Sequence, residues 1–220
     1  MYALFVPTEK EALSLFGSAD FFYKDGLKCF HWREKTVYIA GFGKTHAART
    51  AALYLATGGQ GIPFLAGIAG AYRASGLEPG VVGFIRKNWF VDEALYTGDK
   101  LTGTDEMGFP VSDNNSVELF VPDFQYPSYE ANTVSLLPGT DELAALYHNK
   151  TGAALESMEG GAFALSALLG GRRVVEVRAV SNYCGDRKNA SWDIKKAIKN
   201  LRELLDNLYP ELISKQLSKF

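Results

Sequence analysis

Two kinds of apolar spacing alternate along this chain. Tyr2 to Val6, Thr36 to Ala40 and Ile62 to Ala66 are short unbroken apolar runs bounded by turn residues, the pattern of buried strands. Pro7-Thr8 turns the first into a helix beginning near Glu9. Gly41-Phe42-Gly43 ends the second, and Lys44 to Ala56 follows as an Ala-rich helix that Gly58-Gly59-Gln60-Gly61 stops. Phe21 to Trp32 reads as one or two strands with a turn at Asp25-Gly26, and Val81 to Val91 as a strand or hairpin arm. Residues 97–116 are polar and read as a long surface loop, a class usually functional or disordered. Val117 to Val121 and Asn132 to Leu136 predict short strands, and Asp141 to Asn149 a helix with Thr140 as its N-cap. Arg173 to Val180 is an almost unbroken β-branched strand. Ile194 to Leu208 carries apolar residues at helical spacing until Pro210 interrupts it, and a last amphipathic turn or two follows. This alternation predicts an α/β fold with a largely parallel sheet.

Composition narrows the class. A chain of 220 residues suits one α/β domain or two small ones, and 47% apolar with 22% charged residues is ordinary for a globular core. A net charge of -2 supplies no attraction for nucleic acid or an anionic membrane, and neither is expected as a partner. Cys29 and Cys184 have no metal-ligand spacing and suit a reducing compartment. The start, MYALFVPTEKEA, lacks a basic, long-apolar signal region, and no run reaches 18 apolar residues, so the cytoplasm is the expected location. His31, His46 and His148 are scattered, which gives no metal site. Gly43-Lys44-Thr45 looks like the end of a phosphate loop, but Tyr38 stands where its first glycine belongs. His46 occupies the third glycine position of a dinucleotide fingerprint. No cofactor is expected.

Candidate chemistry concentrates between Leu155 and Trp192. Met158-Glu159-Gly160-Gly161 puts a carboxylate at the mouth of a small-residue helix, and Ser181-Asn182 ends the following strand. Ligands of open α/β sheets collect beyond the carboxyl ends of strands, so Glu159 and Asn182 can face one crevice. Glu159 has structural readings too, as a helix-start charge or an ion-pair partner of Arg172 or Arg173. Asn182 can equally be a turn former before Gly185. Glu11 closes a Thr8-x-x-Glu11 capping box, in which its carboxylate bonds back to the Thr8 N–H, or it is a strand-end carboxylate that takes a proton from water. Gly67-Ile68-Ala69-Gly70 follows a buried strand and reads as a turn, either packed or open to a ligand.

Several of these stretches, in this order, resemble one family. VPTEKEA, GFGKTHAA, FLAGIAGAYRASGLEPGVV, Met158-Glu159 and Arg178-Ala179-Val180-Ser181-Asn182 are similar to segments of the purine nucleoside phosphorylase and methylthioadenosine/S-adenosylhomocysteine nucleosidase family. The run Ser181-Asn182-x-x-Gly185-x-Arg187-x4-Trp192 resembles its futalosine hydrolase branch, enzymes of a menaquinone pathway. The resemblance covers both ends of the chain and is thin from about 95 to 130.

It implies a single domain over residues 1–220, a three-layer α/β/α sandwich around a mixed, largely parallel twisted sheet. It further implies a nucleoside substrate, a homodimer or higher homo-oligomer, and N-ribosidic hydrolysis of futalosine to hypoxanthine and dehypoxanthine futalosine. Glu11 corresponds to the water-activating Glu, Glu159 to the acceptor of ribose hydroxyls and Met158 to the ribose-packing residue. Ile68, Ala69, Gly70 and Ser181 line the substrate, and Arg187 or Lys188 meets the carboxylate of its benzoate-bearing tail. Glu156 is left outside this set.

Two departures matter. Ile68 stands where many relatives carry Ser, and Asn182 where adenine-releasing nucleosidases carry Asp. An amide NH₂ can donate to a 6-oxo group while its oxygen accepts N7–H, which favours hypoxanthine or guanine over adenine. No phosphate-binding arginine can be placed, so hydrolysis is favoured over phosphorolysis. The rivals are a nucleosidase of methylthioadenosine, S-adenosylhomocysteine or aminofutalosine, a 6-oxopurine phosphorylase, and an inactive purine-binding protein.

Overall fold

The computed structural model describes residues 1–186 and 193–214. Strand β1 (Tyr2–Val6) leads into helix α1 (Glu9–Phe16), then β2 (Phe22–Lys24), β3 (Leu27–Trp32), β4 (Lys35–Ile39), α2 (Gly43–Ala56) and β5 (Ile62–Ala71). The middle holds β6 (Val82–Trp89), a hairpin of β7 (Ala94–Tyr96) and β8 (Leu101–Gly103), β9 (Ser116–Glu118), β10 (Ser128–Thr133) and α3 (Asp141–Thr151). Then come β11 (Leu155–Ser157), α4 (Gly160–Leu169), β12 (Val175–Tyr183), α5 (Ile194–Asn207) and α6 (Tyr209–Ile213).

Among the described residues, one mixed sheet runs β2-β3-β4-β1-β5-β12-β6-β10-β11, with β9 added to β6. Its central run β4-β1-β5-β12 is parallel, as crossover helices require. Strand β11 also pairs with β5, so β5, β12, β6, β10 and β11 close on themselves beside the open half.

Alternation along the strands splits the core into two faces. Ala3 and Phe5 of β1 join α2 and α4 on one face, where Ala47, Ala51, Ala162, Ala164 and Ala167 let the helices approach closely. Leu4 and Val6 join α1 and α5 on the other, with Ala12, Leu15, Ile198, Leu201 and Leu205 buried. The result is the expected three-layer α/β/α arrangement around a mixed sheet. A third cluster under α3 holds Tyr72, Val134, Tyr147 and Cys184.

Local boundaries differ where tertiary pairing overrides the pattern. Strand β5 does not turn at Gly67 but runs on to Ala71, because β12 pairs with it through residue 71. The expected strand at Asn132 to Leu136 lies earlier, at Ser128–Thr133, held between β6 and β11 despite its polar sequence. The polar stretch 97–116 contains β8, and β11 was not foreseen at all, being only three residues long. Cys29 and Cys184 are both free and buried. No helix among the described residues is long and apolar enough to cross a membrane.

Candidate active site

The carboxyl ends of β1, β5 and β12 and the start of α4 border a cleft of about 450 Å³. Glu11, Ile68, Ala69, Gly70, Met158, Glu159, Ser181 and Asn182 all line it. Arg187 lies outside the described residues, as do Lys188 and Trp192. Among the described residues, no group of His, Cys, Asp and Glu is placed to hold a metal ion.

Glu11 reaches the cleft because α1 starts there. Thr8 caps that helix, its hydroxyl oxygen accepting the Glu11 N–H at 3.1 Å. The carboxylate does not complete the expected capping box. Its Oε2 accepts the Thr8 hydroxyl at 2.8 Å, and Oε1 accepts the Ile68 N–H at 3.0 Å, which ties α1 to β5. Burial pushes the Glu11 carboxyl up to about 7, aided by the nearby Glu159 charge and opposed by the Ile68 N–H, Arg178 and Thr8. A carboxylate with that value is suited to accept protons near neutral pH.

Glu159 stands at the N-cap position of α4 without making a capping bond. It is buried, and its Oε1 accepts the N–H of Gly43 at 3.1 Å, from the first residue of α2. Gly43 adopts φ +78°, a left-handed conformation that suits glycine. The ion-pair partner of Glu159 is neither Arg172 nor Arg173 but Arg178, whose Nη1 lies 3.6 Å from Oε2. Burial raises the Glu159 pKa, while Arg178 and the Gly43 N–H work against it.

Arg178 was absent from the sequence-based candidates and organises the floor of the site. It is 1% exposed. Its Nε donates to Glu176 Oε1 at 2.6 Å and its Nη1 to the Ile68 carbonyl at 3.1 Å. Nη2 is buried with no hydrogen-bond partner among the described residues. Desolvation disfavours the charged guanidinium, yet Glu176, Glu159 and Glu11 together hold its pKa above the usual value. Its signal in the sequence is Glu176-x-Arg178 within a β-branched run: two charges on one face of a strand otherwise fit only for burial.

A bulge delivers Asn182. Val180 pairs with Ala69, then Asn182 pairs with Gly70, leaving Ser181 as the extra residue. The Asn182 Oδ1 accepts the Ser181 hydroxyl at 2.7 Å and its Nδ2 donates to the Tyr183 carbonyl at 2.9 Å. Gly70 has to be glycine-sized, since a Cβ there meets Cys184 Sγ at 2.6 Å and Asn182 Nδ2 at 3.5 Å. On the other flank of Gly70 stands Glu156, which also lines the cleft and accepts the Tyr72 hydroxyl at 2.7 Å. Burial and Glu156 keep the Cys184 thiol well above its ordinary pKa, so it is a neutral neighbour and not a nucleophile.

The arrangement places a proton acceptor, a buried carboxylate with a guanidinium behind it, and an amide along one cleft. Three carboxylates line it and Lys10 is the one cation that does so among the described residues. Such a cleft suits an uncharged ring that passes through a cationic transition state, and it disfavours a phosphate dianion beside Glu11.

No protein-family model matches the chain. A curated relative, the futalosine hydrolase of Thermus thermophilus, is 32% identical over 222 residues, covering 96% of this chain and 96% of its own length. Among solved structures, a mutant of the futalosine hydrolase of Helicobacter pylori superposes with a TM-score of 0.75 at 16% identity, over 96% of this chain and 99% of that one. The methylthioadenosine/S-adenosylhomocysteine nucleosidase of Campylobacter jejuni gives a TM-score of 0.73 at 16% identity, over 98% of this chain and 99% of its own. At those identities the two structures speak for the fold.

Proposed function

We propose that this chain, which belongs to the futalosine hydrolase family, cleaves the N-ribosidic bond of futalosine with water and releases hypoxanthine. The observation that carries this reading is the cleft itself, where Glu11, Glu159 and Asn182 converge beside Arg178. Glu11 accepts a proton from the attacking water as its oxygen bonds to the ribose C1′. Its carboxyl, pushed up to about 7, is half ionised near neutral pH. General-base assistance of this kind typically supplies roughly 10²–10⁴-fold.

Glu159 accepts hydrogen bonds from ribose hydroxyls, and its negative charge favours the oxocarbenium-like ribosyl cation. Met158 packs against the ribose. As the C1′–N9 bond breaks, its electron pair passes to the purine, which takes a proton from solvent at N7. Asn182 then turns from Ser181 and Tyr183 to the base, its NH₂ donating to the 6-oxo group and its oxygen accepting N7–H. A 6-amino group facing that NH₂ leaves two donors unpaired, at about 1–3 kcal/mol. Ile68, Ala69, Gly70 and Ser181 form the walls, and Lys10 is the cation for the tail carboxylate, a role that the sequence resemblance also gives to Arg187. Hydrolysis is preferred to phosphorolysis because Arg178, the buried guanidinium at the site, is already engaged by Glu176 and Glu159. A homodimer or higher homo-oligomer in the cytoplasm completes the reading.

The test is turnover of futalosine in water enriched in oxygen-18. The ribosyl product should carry the label on its C1′ hydroxyl, and Glu11→Gln should abolish nearly all turnover while still binding hypoxanthine. Unlabelled product, or full activity in Glu11→Gln, would contradict it.

A further inference from the structure

Glu176 is a fully buried carboxylate that lines no part of the cleft and that the reaction scheme leaves unused. Its surroundings are built for it. Oε2 accepts the Asn88 side-chain amide of β6 at 2.6 Å. The Asn88 oxygen accepts the Thr133 hydroxyl of β10 at 3.1 Å, and the Thr133 oxygen accepts the Gly161 N–H of α4 at 2.7 Å. Gly160 makes the room, since a Cβ there would collide with Glu176 Oε1. Three elements, β6, β10 and α4, therefore orient one carboxylate, and its other oxygen is 2.6 Å from Arg178 Nε.

Arg178 is the only cation buried at this site among the described residues, and three carboxylates compete for it. Glu176 holds it at 2.6 Å and Glu159 at 3.6 Å. Glu11, the third, feels its charge at longer range, its own oxygens being held by the Thr8 hydroxyl and the Ile68 N–H. One positive charge cannot neutralise three negative ones in a low-dielectric interior, so the share that Glu176 takes is withheld from the other two.

We infer that Glu176 is a positioning residue of the hydrolysis: it fixes the Arg178 guanidinium against the Glu159 and Ile68 side of the cleft and withholds part of its charge from Glu11. Glu176 thereby keeps Glu11 basic enough to take a proton from water. The groups facing Glu11 are Thr8 on its own helix, the Ile68 N–H of β5, Glu159 before α4 and Arg178 of β12. Those facing Glu176 are Asn88, Arg178 and the backbone at Gly160.

The inference rests on Glu11 being the general base, and the experiment separates the two. Glu176→Gln keeps the volume and removes the charge. With that charge gone, Arg178 serves Glu11 more fully, so the acid limb of the kcat/KM profile should move down by about 1 pH unit. At the pH optimum kcat should fall by up to about 10-fold with KM little changed, because a less basic Glu11 is a poorer proton acceptor. Asn88→Ser leaves the charge and loosens its anchor, so kcat should fall and the acid limb should move down by a smaller step in the same direction; this second variant also decides the matter if Glu176→Gln does not fold. A merely structural Glu176 would lower Tm and leave the pH profile of the folded enzyme in place. That outcome, or unchanged kcat in Asn88→Ser, overturns the inference. Loss of the acid limb assignment itself, seen as an active Glu11→Gln, would instead overturn the proposed function.

Discussion

Replacing Glu11 by Gln should make the protein less active and more stable, and the gain in stability should depend on pH. Folding lifts the Glu11 carboxyl from 4.5 to about 7, chiefly by desolvation. Between these values the folded chain holds a proton that the unfolded chain has released, so stability falls as pH rises through this window. Below pH 4.5 both states are protonated and the group costs nothing. Above about 7 the folded carboxylate is ionised and the full penalty, on the order of 3 kcal/mol, is present. Glutamine keeps the shape and an oxygen for the Ile68 N–H but cannot ionise. The Glu11→Gln variant should therefore match the parent near pH 4.5 to 5 and exceed it by about 2–3 kcal/mol at pH 8. For a chain of this size that corresponds to roughly 5–10 °C in Tm. Denaturant or thermal unfolding of both proteins across pH 5 to 8, with turnover measured in parallel, tests this. A stability difference that does not change with pH would refute the reasoning, because the penalty would not then come from ionising Glu11.

Three further outcomes follow from the geometry. Asn182→Asp should shift base preference from hypoxanthine toward adenine, read as the ratio of kcat/KM for futalosine and aminofutalosine, by roughly 10-fold or more if one buried hydrogen bond changes sign. Gly67→Ala should destabilise the fold by about 1–3 kcal/mol and cripple turnover, since its Cβ would meet Arg178 Nη1 and Pro7 Cγ at 2.7 Å and Glu11 Oε1 at 3.0 Å. Lys10→Glu should raise KM for futalosine, measured by initial rates, while leaving that for inosine, which has no charged tail, within about twofold.

The layers, the parallel centre and the carboxylates at strand ends were readable because each leaves a local mark. Apolar runs announce β1, β4 and β12, and Thr8 and Thr140 both cap the helices that the sequence assigns to them. What escaped was set by partners far away in the chain. Gly67 to Gly70 looks like a turn in isolation and is strand, because β12 pairs alongside and Arg178 and Glu11 need the space that a side chain would fill. Arg178 carries a local mark in Glu176 two residues before it, but its other partners, Glu159 and the Ile68 carbonyl, come together only in the folded sheet. Arg172 and Arg173 were nearer guesses in sequence and are exposed. The bulge at Ser181 that aims Asn182 at Gly70 has no glycine to announce it.

The most direct measurement is base release from futalosine, aminofutalosine, methylthioadenosine and inosine, each with and without phosphate, followed by chromatography. Hypoxanthine released from futalosine without phosphate, with the adenine nucleosides left intact, is the predicted result. Adenine release with futalosine untouched, or a strict requirement for phosphate, would contradict the account.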